Sequence, residues 1–206
     1  MLANKPYVVG LTGGIGCGKS EAAAYLRTLG AAHVDADEIS HALTAPGGEA
    51  LPEIRRVFGD AVFYVDGTLD RAMLAREVFA NEPARRALEG IIHPLVQRNM
   101  LLQMDEAARA GAKVVILDVP LLFETGMDAL CDETWALYVD REKQIERIMA
   151  RDGLSAEQAQ ARIDSQMSVE ARNARATFAV NTDQPLEKTR EKLAALYHAA
   201  LKKAGQ

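Results

Sequence analysis

Tyr7-Val8-Val9-Gly10-Leu11, then Gly13-Gly14-Ile15-Gly16-Cys17-Gly18-Lys19-Ser20, then the helical pattern from Glu21 to Leu29 decide the reading of this chain. The middle stretch fits Gly, four residues, Gly-Lys-Ser, and it sits between an apolar run and a helix. Glycines let the backbone turn its N–H groups inward around a polyphosphate. The helix N-terminus adds partial positive charge. Lys19 has the reach for β- and γ-phosphates, and the Ser20 hydroxyl can ligate Mg²⁺. The expected nucleotide-binding residues are therefore Gly14, Ile15, Gly16, Cys17, Gly18, Lys19 and Ser20. A thiol at a helix start can be reactive, but Cys17 is read as a small residue that fits the loop.

Beyond the loop, apolar runs alternate with helical patterns. Ala31–Asp35, Val114–Asp118, Thr134–Val139 and Phe178–Val180 read as further strands. The run at 114–118 is apolar up to its final acid, as in a strand buried on both faces. The alternation predicts an α/β fold of the phosphate-loop NTPase type, a parallel sheet flanked by helices. Gly30 suits the position just past the first helix. About Ala36 to Ala112 is too long for one crossover and carries helical spacing at 51–58, 71–79 and 83–109. His93-Pro94 is expected to break that last stretch, with Pro94 opening a new helix. A second helical excursion runs from Arg141 to Arg175, with a capping box at Ser155 and Gln158. Leu186 to Lys203 should form a helix packed on the sheet. The expected division is a nucleotide-binding core at 1–35, 113–140 and 176–206, a helical acceptor-binding insertion at 36–112 and a lid at 141–175.

The chain has 206 residues, 49% of them apolar, and a net charge of −5. This is enough apolar material for one domain with insertions, and the charge argues against a general nucleic-acid binder. No apolar run is long enough to span a bilayer. Met1–Pro6 lacks the apolar core of a signal peptide, and Cys17 and Cys131 form no metal or disulfide framework. The expectation is a soluble cytoplasmic protein without a nucleic-acid or membrane partner.

Acids and arginines complete the chemistry. Asp35-Ala36-Asp37 follows the second strand, and loops after strand C-termini line the ligand crevice of a parallel sheet. Asp37 is the candidate base for an acceptor hydroxyl. A helix N-cap is the alternative use of one of the pair. Asp118 suits Mg²⁺ binding through water, and equally a polar strand terminus. Glu124, after Pro120-Leu121-Leu122-Phe123, either faces the crevice or begins a helix. Gln144, Arg147 and Arg151 share one helix face, and Arg147 and Arg151 are candidates to stabilise charge on a transferring phosphoryl group. Arg172 and Arg175 stand behind them. The histidines read as poor catalytic candidates: His41 and His198 on helix surfaces, His33 in the short strand, His93 as a cap or at the acceptor pocket. The scattered Tyr and Phe residues read as core.

Asp118 is followed by Val119-Pro120-Leu121 rather than the x-x-Gly of a GTPase, and neither Asn-Lys-x-Asp nor Leu-Ser-Gly-Gly-Gln occurs. A small-molecule kinase fits better than a GTPase or a transporter ATPase. Thr12 to Ser20, Asp35-Ala36-Asp37, Leu69-Asp70-Arg71, His93-Pro94-Leu95, Pro120 to Glu124 and the Gln144/Arg147/Arg151 spacing together resemble the dephospho-CoA kinase family, from the first strand to about Val180. The resemblance implies transfer of the ATP γ-phosphate to the ribose 3′-hydroxyl of dephospho-CoA, with ATP and Mg²⁺. It also implies a catalytic Asp37, a helical CoA-binding domain and a lid carrying Arg147 and Arg151. The residues alone reach only a phosphate-loop kinase, so another nucleoside, nucleotide or small-molecule acceptor is the alternative. Two departures stand out. Glu21 replaces a small residue and is expected to tilt outward. The stretch Ala176 to Thr182 lacks the family's Asp after the Ala and its closing Asn.

Overall fold

The computed structural model describes residues 5–205. Met1–Asn4, the start of the stretch read as lacking a signal peptide, lie outside the described residues. The chain forms two compact units, one running to Val34 and again from Met104 onward, the other Asp35–Gln103. The second boundary thus falls inside a helix, and residues 141–175 cluster with the first unit.

The first unit is built on five strands: β1 Tyr7–Gly13, β2 Ala32–Asp35, β3 Val114–Asp118, β4 Glu133–Tyr138 and β5 Phe178–Asn181. They lie in the order β2-β3-β1-β4-β5. β1 pairs in parallel with β3 and β4, and β4 with β5. The first strand is therefore central, and the loop that follows it leaves from the middle of the sheet's C-terminal edge.

Alternation sorts the strand side chains. Val9, Leu11, Val114, Ile116, Trp135 and Leu137 share one buried cluster with helices α1, Lys19–Thr28, and α9, Leu186–Ala204. Leu26 from α1 and Leu193, Leu196 and Tyr197 from α9 fill it. On the other face the chain comes close to the sheet at Gly10, where an added Cβ would stand 2.7 Å from Cys131 Sγ and 2.8 Å from a Leu122 methyl. Burial on both faces explains why these strands read as continuous apolar runs. Polar groups close the opposite edge. Glu133 is only 4% exposed. Its carboxylate accepts from Trp135 Nε1 at 2.9 Å and from Tyr7 Oη at 3.1 Å, and it pairs with Lys203 in the last turn of α9. Burial and the neighbouring carboxylate push the Tyr7 phenol up.

The remaining helices of the first unit are α6 Arg141–Asp152, α7 Ala156–Asp164 and α8 Val169–Arg175. The capping box forms as expected: Ser155 Oγ accepts from Gln158 N, and Gln158 Oε1 accepts from Ser155 N.

The second unit holds α2 Ala36–Leu43, α3 Leu51–Phe58, α4 Arg71–Ala80 and most of α5, Glu82–Arg109. Ile54, Leu74, Val96 and Met100 are buried. Pro94 does not open a new helix. It lies inside α5, which continues through it. The missing N–H costs one bond, and the ring crowds the carbonyl of residue 90. That residue is Gly90, with open space where a side chain would be, while Val96 and Met100 anchor the next turns. The aromatic reading also needs correction. Tyr64, in the loop before α4, and Phe79, on α4, are exposed, Phe79 by 96%.

Trp135 is fully buried in the cluster. Trp135→Ala is expected to lower unfolding stability by about 3–5 kcal/mol, read from urea unfolding curves.

Candidate active site

The glycine-rich loop is held from several sides. Gly18, at φ 83°, is the N-cap of α1, a conformation that L side chains adopt rarely. Lys19 and Ser20 thus occupy the helix's first turn, where unpaired N–H groups point outward. Gly13 and Gly14 are required by close approach. A Cβ on Gly13 would lie 2.4 Å from Cys17 Sγ, and one on Gly14 2.8 Å from Gln144 Nε2 and 3.2 Å from Arg172 Nη1.

Side chains from the helices α6 to α8 and the turns between them grip the loop backbone. Gln166 Oε1 accepts from Ile15 N at 2.9 Å, and Gln144 Nε2 donates to Ile15 O at 2.6 Å. Arg147 donates to Gly16 O at 3.2 Å and to Thr182 O at 3.4 Å. Thr182 Oγ1 in turn donates to Cys17 O at 2.8 Å. The loop's carbonyls are thereby tied outward, which leaves its concave side to N–H groups.

Lys19 forms an ion pair with Asp118. The other Asp118 oxygen lies 3.3 Å from His33 Nε2. Asp118 is 2% exposed. Burial alone would raise its pKa, but the His33 hydrogen bond and the Lys19 charge outweigh burial and hold it below the ordinary carboxylate value. The Cys17 thiol is buried and pushed up by that burial, against the weaker pull of Lys19. Burial pushes Cys131 up to about 12.

In the second unit, Asp35 caps α2: its Oδ1 accepts from Asp37 N at 2.8 Å and Glu38 N at 3.1 Å. Asp37 is exposed in the helix's first turn. The same unit encloses a cavity of about 330 Å³, walled by Leu69, Leu74, Val78 and Ile92, with Arg71 and His93 among its lining.

A family profile for dephospho-CoA kinase matches residues 7–188. The chain belongs to the dephospho-CoA kinase family. A curated dephospho-CoA kinase from Symbiobacterium thermophilum is 46% identical over 193 residues, covering 94% of this chain and 81% of the relative. Among solved structures, TT1252 from Thermus thermophilus matches with 38% identity and a TM-score of 0.81, covering 94% of this chain and 97% of that one. The dephospho-CoA kinase from Campylobacter jejuni matches with 28% identity and a TM-score of 0.73, covering 95% and 98%.

Within this dephospho-CoA kinase family member, the structure brings Gln144 and Arg147 to the loop and does not bring Arg151. Arg151 is exposed and pairs with Asp152 at 2.7 Å. Arg172, ranked behind both, is 2% exposed and faces Gly14. Arg175 packs over the Phe123 ring and pairs with Asp128. Glu124 begins no helix: it accepts from Met167 N at 3.2 Å. Glu21 does tilt outward, pairing with Arg190 at 2.6 Å. Where the family's Asp and Asn are lacking, Thr177 exchanges hydrogen bonds with Thr134 and Thr182 holds Cys17 O. Gln166, Thr182 and His33 were missed. Gln166 lies in a turn 151 residues from its partner Ile15, and no local pattern marks it.

Two outcomes follow. Because the Asp118 pKa is depressed on folding, its stabilising contribution is present above the ordinary carboxylate range and is lost as pH falls through the depressed value. The stability gap between wild type and Asp118→Asn should be full at pH 7 and shrink below about pH 4, measured by urea unfolding at each pH. Both thiols should react with a thiol-specific reagent at pH 8 at least about tenfold more slowly in the native protein than in urea.

Proposed function

We propose that this chain transfers the γ-phosphoryl group of ATP to the ribose 3′-hydroxyl of dephospho-CoA, giving CoA and ADP. The observation that carries the reading is the phosphate loop held by Gln144, Arg147 and Gln166 in a chain that matches the family over residues 7–188.

In this reading the acceptor oxygen forms a bond to the γ-phosphorus as the bond from that phosphorus to the β-phosphate oxygen breaks. ADP leaves, and the 3′-hydroxyl proton passes to Asp37. Asp35 is committed to capping α2, which is why Asp37, exposed in the first turn of that helix, is assigned the base. Lys19 exchanges Asp118 for the phosphates. Arg147, which donates to the carbonyls of Gly16 and Thr182, stabilises the charge on the transferring group, and Arg151 is placed second to it. Positioning and electrostatics do most of the work in such a transfer. The apolar cavity of the second unit, with Arg71 in its lining, is assigned to the acceptor's pantetheine arm.

Mg²⁺ fits the donors present: the exposed Ser20 hydroxyl and the Asp118 carboxylate are hard oxygen ligands. Ser20 would hold the ion directly and Asp118 through water. When bound, the ion neutralises charge shared between β- and γ-phosphate oxygens. No helix among the described residues is long and apolar enough to cross a membrane, and the cytoplasm, with its ATP, is the proposed location.

ADP release measured over a panel of acceptors tests the reading. Dephospho-CoA should be preferred over nucleosides and nucleotides, and the reverse preference overturns it. Asp37→Asn should lower turnover about 100-fold or more while ATP affinity stays near that of wild type. Unchanged turnover removes Asp37 from the role.

A further inference from the structure

Three of the four buried side-chain polar atoms that lack a hydrogen-bond partner among the described residues belong to one neighbourhood: Gln144 Oε1, Arg172 Nε and Asn173 Oδ1. All three residues line a cavity of about 490 Å³ whose wall includes Gly14 of the phosphate loop. Buried polar groups are paired in the great majority of cases, so three orphans in the wall of one cavity mark its polar lining as incomplete.

Arg172 is the informative member. It is 2% exposed. Its Nη2 donates to Met167 O at 2.7 Å, and among the described residues no carboxylate forms an ion pair with it. A guanidinium taken out of water without a counter-charge is unfavourable unless an anion completes it. Its Nη1 lies 3.2 Å from where a Cβ of Gly14 would stand, so the charge is aimed at the start of the loop. There the loop is short of donors, because the Ile15 N–H is already given to Gln166. The other end of the loop has Lys19, Ser20 and the amides of the α1 N-terminus.

We infer that Arg172 is a phosphate-binding residue that takes the terminal phosphoryl group of the bound nucleotide, its Nη1 donating to a γ-oxygen. A polyphosphate laid along the loop has its inner phosphates at the α1 end and its terminal group at Gly14, where the guanidinium supplies the donors that Ile15 does not. The guanidinium then senses whether a third phosphate is present. This goes beyond the kinase reading and rests on it only in taking the loop as an ATP site.

The test is nitrogen-15 NMR of arginine Nε–H signals in the full-length protein, with the Arg172 signal assigned by its loss in Arg172→Lys. Saturating β,γ-imido ATP should shift that signal, and ADP should leave it near its free position. A signal that ignores both nucleotides, or that moves equally with both, overturns the inference. Kinetics give the second readout. Arg172→Met should lower kcat about 100-fold with ADP affinity within about threefold of wild type, and Arg172→Lys should recover part of the loss. Equal losses of ADP affinity and kcat would instead mark Arg172 as a support for the loop backbone. The NMR titration of wild type does not depend on how the variants fold. If wild type turns over no dephospho-CoA, the acceptor assignment falls while the titration still reads the terminal-phosphate contact.

Discussion

A loop that gathers backbone N–H groups and a lysine around one point must be stable before any anion reaches it. The Lys19–Asp118 pair answers this constraint, and much of the first unit is arranged so that the pair can exist. Asp118 ends β3 beside the central strand, and the parallel register of β1 and β3 sets Leu11 opposite it. The carboxylate is buried, and His33 from β2 engages its second oxygen. A buried acid with a cation and a second partner stays ionised, so it can hold the lysine in place at the loop.

The loop's shape is a separate matter from its charge. Its carbonyls at Ile15, Gly16 and Cys17 are drawn outward by Gln144, Arg147 and Thr182. These side chains come from α6 and from the residue after β5, elements far apart in sequence. Nucleotide binding therefore meets a cradle preformed by its neighbours, and little of the binding energy has to be used to order it. Gly13 and Gly14 belong to the same arrangement, since any side chain there would occupy the space that Cys17, Gln144 and Arg172 use.

Much of this was legible in the sequence because it is local. Gly-x-x-x-x-Gly-Lys-Ser after an apolar run specifies a strand, a turn and a helix within about twenty residues, and the Ser155/Gln158 box marks a helix start within four. The strand at 114–118 declared itself because burial on both faces leaves no alternation to confuse. What stayed hidden depends on side chains meeting across the fold. Gln166 looks like any turn glutamine until β1 and the α7–α8 turn are brought together, and Arg172 looks like a solvated helix charge until its burial is seen. Pro94 misled for the opposite reason. A strong local rule was overridden by the turns on either side of it and by the room left at Gly90.

The placement of α9 bears on how the protein is made. β1 and the phosphate loop are synthesised before the other strands, yet part of the floor under them, Leu193, Leu196 and Tyr197, follows every strand of the sheet. A nascent chain on the ribosome thus carries a nearly complete sheet with one apolar face covered only by α1 until this last helix has emerged from the exit tunnel. During that interval the exposed face is the part of the molecule most open to chaperones and to misassociation.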